Sequence, residues 1–330
     1  VRTFKEDREM SALRKRIATP LRVVAVTLAI GTIGLGSSTP AAAPAHVLIV
    51  KSDDLPQYQQ PIDAFVAAHP GKVTTVDLGG SKEEGRARLL RAAKHESIDA
   101  VFALGAQAAW LSREVLPRAP LTFAMVIDWQ RYGLGDSATG VAVELPVDAL
   151  LARFKLLLPN LRRLGVIHSS HASTATLESA RVAAASLGIE LHAESVTHGD
   201  SVAGAYRRMR REIDALWMVP DPVVVTQDNF RYLAERTRSD GIAFLAFSEN
   251  FVRAGALLSV APDYATMGSQ AAVLVERTLE RQNGRPSVQH PIGSSLVINA
   301  ETARELGIDV NENILRLADK VIDEDNERGR

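Results

Sequence analysis

Cysteine is absent from all 330 residues. That excludes disulfides, thiol catalysis, thiolate zinc, iron–sulfur clusters and any lipid anchor built on an N-terminal cysteine. Aromatic residues are scarce at 5%. Neither sign of charge dominates, with 38 Lys and Arg against 39 Asp and Glu, so the balance gives no reason to expect nucleic acid. Mean hydropathy is close to zero, which excludes a polytopic membrane protein. No G-x-S-x-G, Walker A, H-E-x-x-H or G-x-G-x-x-G motif occurs beyond residue 45, so the common signatures of hydrolases, nucleotide-binding proteins and zinc proteases are missing. What remains is a chain with 46% hydrophobic residues, too apolar for disorder and long enough for two lobes of roughly 100–150 residues each.

Residues 1–45 differ from the rest. Arg14, Lys15, Arg16 and Arg22 precede an apolar run from Val23 to Leu35, followed by Ser37-Ser38-Thr39-Pro40-Ala41-Ala42-Ala43-Pro44-Ala45. A basic segment, a short apolar segment and small residues form a secretory signal. As a helix the run rises roughly 20 Å, short of a hydrocarbon core of about 30 Å. The expected cut follows Ala45, with Ala43 at −3. An uncleaved membrane anchor is the alternative. Met10 starts a more ordinary signal than Val1, which reads as an upstream or GTG start. Residues 1–45 hold seven Lys/Arg and three Asp/Glu, so the remainder carries 31 against 36, a net −5.

From His46 onward, short runs apolar on both faces alternate with amphipathic helices, the pattern of parallel sheets covered on both sides. Strands are expected at Val47–Val50, Lys72–Leu78, Ala100–Leu104, Leu121–Ile127 and Gly140–Val143, with helices at Gln57–Ala68, Lys82–Lys94 and Ala106–Leu116 between them. The grammar then restarts. Helix Val147–Leu158 leads to strand Leu164–His168, helix Ser173–Leu187 closed by Gly188, strand Ile189–Val196 and helix Ser201–Ile213. Strand Ala215–Val219, helix Val223–Ser239 and strand Ile242–Phe247 complete it. The fold class is α/β, two doubly wound parallel-sheet lobes.

Ligands of such sheets sit beyond the carboxyl ends of the strands. In the first lobe these positions are Ser52-Asp53-Asp54, Gly79-Gly80-Ser81, Gly105-Ala106-Gln107 and Asp128-Trp129. In the second they are Ser169-Ser170-His171, Pro220-Asp221-Pro222 and Ser248-Glu249-Asn250. Small, polar and acidic residues on two rims suit a small polar ligand. The Gly105-Ala106-Gln107 turn carries the most chemistry, because a helix begins at once and its N–H groups and dipole favour an anion such as a carboxylate. Trp129 and Tyr132 could stack on an aromatic ligand or cover an apolar edge. Leu78–Lys82 faintly resembles a phosphate loop but reads better as a capping turn. His168-x-x-His171 offers two metal ligands without a third, and Ser169 beside His168 lacks the rest of a triad. Arg207-Arg208-Met209-Arg210-Arg211 reads as a solvated helix face. No cofactor, metal or catalytic residue is expected.

Several stretches resemble one family of ABC-transporter substrate-binding proteins. They are Phe154-Lys155-Leu156-Leu157-Leu158-Pro159-Asn160-Leu161, the Val219-Pro220-Asp221-Pro222 strand end, and Ala246-Phe247-Ser248-Glu249-Asn250-Phe251-Val252-Arg253-Ala254-Gly255. Gly268-x-Gln270-Ala271-Ala272 and Asn299-x-Glu301-Thr302-Ala303 complete the set. The match spans about 46–320. It implies a type I periplasmic-binding-protein fold whose lobes are joined by three crossings, near Gly140–Glu144, Leu257–Ala261 and Pro291–Leu296. The expected lobes are 46–143 plus 259–290, and 144–258 plus 291–330. Relatives of this kind bind aromatic amino acids between the lobes, which places Gly105, Ala106, Gln107, Pro220, Asp221, Ser248 and Glu249 at the ligand. Here Ala106 stands where the family has Thr, and His168-Ser169-Ser170 replaces its Y-N-P loop. The implied function is periplasmic capture of an amino acid or related small acid for delivery to an ABC permease. The ligand's carboxylate would meet Gly105–Gln107 and its amino group Asp221 or Glu249. A sensory module signalling to a membrane kinase or receptor uses the same residues. A transcription regulator would need an N-terminal helix-turn-helix. The chain is expected to be monomeric and not an enzyme.

Overall fold

The computed structural model describes residues 45–95, 97–169, 174–280, 285–309 and 312–323, all within one compact unit spanning 44–330. The expected signal segment, Ser170 and His171 lie outside the described residues. The first half runs β1 (His46–Lys51), α1 (Gln59–Ala68), β2 (Lys72–Asp77), α2 (Lys82–His95), β3 (Ala100–Leu104), α3 (Ala106–Val115), β4 (Leu121–Ala124) and β5 (Thr139–Val141). The second begins with α4 (Val147–Leu157), β6 (Arg163–Ser169), α5 (Thr174–Ser186), β7 (Glu190–Val196), α6 (Val202–Met209) and β8 (Ala215–Trp217). It continues through α7 (Gln227–Ser239), β9 (Ala243–Ala246), α8 (Glu249–Arg253) and β10 (Leu258–Pro262). The chain closes with α9 (Tyr264–Leu279), β11 (Val288–Gln289), β12 (Ser294–Asn299), α10 (Ala300–Glu305), α11 (Glu312–Leu317) and β13 (Lys320–Ile322).

Two sheets result. The first has strand order β11-β5-β4-β3-β1-β2 and is parallel throughout, and the second has order β13-β12-β10-β9-β8-β6-β7. In the second, β12 runs antiparallel to β10 and the remaining pairs are parallel. Alternation along β1 explains why its run is apolar without a break. Val47 and Ile49 enter a core with Phe65 and Phe102, while Leu48 and Val50 enter the opposite core with Leu89, Leu111 and Phe123. The second sheet is covered in the same way, with Leu164, Val166 and Trp217 on one face and Ile167, Leu216 and Phe244 on the other. Successive strand residues point to opposite faces, so only strands buried on both sides need such sequences. Side-chain caps start the later helices: Thr226 accepts from the Asn229 N–H, Asp263 from Thr266 and Asn299 from Thr302.

Several boundaries differ from those expected. β4 stops at Ala124 instead of Ile127, because Met125 and Asp128 both take left-handed backbone, at φ 57° and 51°. Helix α6 ends at Met209 and α7 starts at Gln227, four residues inside each expected limit; residues 221–226 instead wrap around Asp221. Ser259–Pro262, expected in the first lobe, hydrogen-bonds between β9 and β12 and so belongs to the second sheet. The second crossing therefore lies at Asp263, and the others at residues 142–146 and 290–293.

The three crossings are laced together. The Ala142 N–H donates to the Gln289 carbonyl at 2.8 Å and the Asp263 N–H to the Gly293 carbonyl at 3.2 Å. His290 Nδ1 donates to the Glu144 carbonyl at 3.0 Å. Gln270, buried in α9, spans the third crossing: its Nε2 reaches the His290 carbonyl at 3.0 Å and Gln289 Oε1 at 3.2 Å, while its Oε1 accepts from the Ile292 N–H at 3.3 Å. The chain leaves β5, β10 and β11 at their carboxyl ends to make these crossings, so the strand ends that bear the candidate residues adjoin them.

Candidate functional site

The first rim is built around the start of α3. Gly105 has φ +88°, and a Cβ there would lie 2.4 Å from the Tyr58 hydroxyl and 2.6 Å from Ser52 Oγ. Glycine is thus required both by its left-handed backbone and by the space. Because Gly105 has no side chain to cap the helix, Ser52 supplies the cap from the end of β1. Its Oγ accepts the Ala108 N–H at 3.0 Å and donates to the Leu104 carbonyl at 3.0 Å. The Ala109 N–H goes to the Gly105 carbonyl and the Gly105 N–H to Ala124. Of the orphan donors that any helix start presents, those of Ala106 and Gln107 meet no acceptor among the described residues. The Gln107 side-chain Nε2 is also shielded from solvent without a partner. Two backbone N–H groups and one side-chain amide of the first turn of α3, where the helix dipole is positive, thus have no acceptor among the described residues.

Tyr58 belongs to this rim although no sequence motif marks it. Burial pushes its phenol above the ordinary range, the Ser52 hydrogen bond opposes that, and the nearby Asp53 charge adds to it. Tyr58 is therefore a neutral hydroxyl at neutral pH. Its only sequence signal is a tyrosine closing the Pro56-Gln57-Tyr58 turn after β1. Asp53 is exposed and its Oδ2 lies near Gly80, whose own N–H bonds the Ser52 carbonyl. The Gly79–Ser81 turn caps α2 through Ser81 Oγ, which accepts the Glu84 N–H at 3.4 Å.

Asp128 is exposed on its left-handed turn beside Ile127, 67% exposed. Trp129 packs back onto the first sheet. Its ring centroid is 6.2 Å from that of Phe123, and its edge lies over Gly135. Tyr132 packs with the same core.

The second rim differs in character. Asp221 has no solvent exposure. Its carboxylate accepts from the Ser169 N–H and hydroxyl, both at 2.8 Å, and from the Val223 and Val224 N–H groups at 2.9 and 3.3 Å. A carboxylate has about four lone-pair sites, so protein donors occupy them, and the expected contact between Asp221 and a ligand's amino group does not fit. Ser169 is buried in the same knot. Glu249 is also engaged, with Oε1 accepting from Lys320 Nζ at 2.7 Å and Arg253 Nε at 2.9 Å. The Lys320 hydrogen bond, joined by that of Arg253, holds its carboxyl below the usual range against a partial burial penalty. Pro220 is exposed, and Ser248 opens α8 without a side-chain cap bond. His168 turns Nδ1 onto the Ser169 carbonyl at 2.8 Å. Among the described residues no group of three or more His, Asp or Glu is placed to hold a metal ion. The arginine cluster divides: Arg208 pairs with Glu194 and Arg210 with Asp240, while Met209 is buried.

The family of ABC transporter substrate binding proteins matches residues 87–322. No curated protein matches the sequence significantly. Among solved structures, a ligand-free, open substrate-binding protein with adhesive properties from Clostridium difficile superposes with TM-score 0.69 at 17% identity, over 84% of this chain and 99% of that one. An ABC domain from Streptococcus pneumoniae in complex with L-Trp gives 0.56 at 20% identity, over 85% of this chain and 100% of that one. A conserved domain protein from Vibrio cholerae gives 0.55 at 22% identity, over 84% and 100%. Among the described residues no helix is long and apolar enough to cross a membrane. With its two mostly parallel sheets, the chain has a type I periplasmic-binding-protein fold and belongs to the ABC transporter substrate-binding protein family.

Proposed function

We propose that this chain is an exported binding protein that captures a small carboxylate-bearing solute, an amino acid or related acid, between two lobes and hands it to an ABC permease. The lobes are residues 46–141 with 263–289, and 146–262 with 294–323. Export removes residues 1–45. The α3 start carries the reading: the Ala106 and Gln107 N–H groups and the Gln107 amide, unpaired among the described residues, form a donor set suited to a carboxylate, in the field of a helix dipole. Asp53, Asp54 and Asp128 are exposed acids of the first rim, and Asp54 is paired with Lys51. Asp53, closer to the Gly105 turn, replaces Asp221 as the partner for an ammonium group.

Binding favours closure only to the extent that the solute binds the closed state more tightly than the open one, and a hinge between two lobes is a common vehicle for it. Pro220 and Ser248 contribute the second rim's surface in the closed form. The L-Trp bound to the pneumococcal structure makes amphoteric solutes the first to screen. Native mass spectrometry of the exported protein should show a co-purified small acid, and thermal shifts across amino acids and small carboxylates should identify its class. Absence of any co-purified solute, together with no shift from any carboxylate, refutes the proposal.

A further inference from the structure

The Ala45–His46 peptide is held at both ends. Its carbonyl oxygen, on Ala45, accepts from His69 Nε2 at 3.2 Å, and His69 Nδ1 pairs with Glu276 at 2.6 Å. Only a glycine at position 71 leaves room for that carbonyl, since a Cβ there would lie 2.1 Å from it. The N–H, on His46, donates to Asp99 Oδ2 at 2.8 Å, and the Asp99 N–H returns a bond to the His46 carbonyl at 2.9 Å. The His46 ring is fixed as well, with Nδ1 against the Ser97 carbonyl at 2.8 Å and Nε2 against Thr74 Oγ1 at 2.9 Å. His46 is 7% exposed.

From this geometry we infer that Asp99 is the docking carboxylate for the mature N-terminus, and that the Ala45–His46 bond is cut before the first sheet closes over it. The inference rests on the export reading above. In the cut, water adds to the Ala45 carbonyl carbon and the bond from that carbon to the His46 nitrogen breaks. Ala45 departs as a carboxylate, and the His46 nitrogen, already bearing one hydrogen, takes both protons of that water to become an ammonium. An amide N–H facing Asp99 thereby becomes a cation facing Asp99, without moving, because the ring and the strand already fix its position. Charged donors make stronger hydrogen bonds to carboxylates than neutral ones. The cut thus strengthens the junction where β1 meets the turn into β3. Once folded, the same junction offers a peptidase neither a free carbonyl on Ala45 nor a free N–H on His46.

Intact mass of the exported protein should give a chain beginning at His46. Residues 46–330 and 45–330 are then made by a fusion protease that leaves no extra residue, each with Asp99 and with Asp99→Asn. The substitution should lower Tm by about 2–4 °C more in the chain that begins at His46. Equal losses in both chains overturn the Asp99 pairing. A precursor refolded before it meets the export peptidase should stay whole while the unfolded precursor is cut, and equal cutting overturns the order of events. A mature mass beginning elsewhere overturns the cut after Ala45 and this inference with it, while solute binding stands or falls on its own assay.

Discussion

Replacing Asp221 with alanine withdraws one acceptor group from four donors. The Val224 N–H keeps a main-chain acceptor in the Asp221 carbonyl at 3.2 Å, and the Ser169 hydroxyl is free to rotate. The Ser169 and Val223 N–H groups, bonded at 2.8 and 2.9 Å, lose that acceptor. Each buried donor left unsatisfied costs about 1–3 kcal/mol, so the expected loss is about 3–5 kcal/mol, in line with removing one side of a buried charged pair. For a chain of this size that is a fall in Tm of roughly 10 °C. Asp221→Asn keeps one carbonyl oxygen but turns an N–H₂ toward one set of donors, and it should cost about half as much. Urea and thermal unfolding of the solute-free protein measure both. The opposite pattern would refute this account: an Asp221→Ala protein within about 1 kcal/mol of the parent that no longer retains its co-purified solute. That result would make Asp221 a ligand group and not the organiser of its own loop.

Gly105→Ala forces a Cβ into the Tyr58 hydroxyl and Ser52 Oγ at a left-handed position. It should abolish the thermal shift given by carboxylates and destabilise the fold by roughly 1–3 kcal/mol. Gln270→Ala removes three hydrogen bonds from the third crossing. Small-angle scattering should record a broader spread of lobe separations, with little change in the circular dichroism of either sheet. The Lys320 hydrogen bond holds the Glu249 pKa below its ordinary value in the folded protein, so its stabilising contribution is present above the ordinary carboxylate range and is lost as pH falls through the lower folded pKa. Lys320→Met should bring that carboxyl back toward its ordinary range, read by carboxyl-carbon NMR titration.

The strands were legible because burial on both faces writes them as unbroken apolar runs, as in Val47–Val50 and Ala100–Leu104. The helices were legible by their period and by punctuation such as Gly188, left-handed at φ +66°. What escaped lay where one side chain's contact over long range decides the outcome. Nothing local shows that Met125 and Asp128 turn left-handed and end β4, or that Ser259–Pro262 pairs with a strand more than thirty residues onward. The Gly105 turn was visible as a strand meeting a helix with no room between them. Its cap, Ser52, sits more than fifty residues earlier, and Tyr58 reaches it only through the fold. Asp221 stands out by its place at a strand end, but position alone does not say whether a carboxylate faces solvent or is surrounded by the donors of its own loop.

The lacing of the three crossings has a mechanical consequence. Bonds from residue 142 to 289, from 263 to 293, and from Gln270 across 289–292 tie the connectors together at one edge of the two sheets. Connectors tied in this way resist shear and independent twist, and they leave a single coordinate soft, the angle between the lobes. On the proposed function, a membrane partner touching both lobes would read one number. Solutes of different shape that stopped closure at the same angle would present the same surface to it, so in the proposed function selectivity for the solute would be settled on the two rims and transmitted as an angle alone.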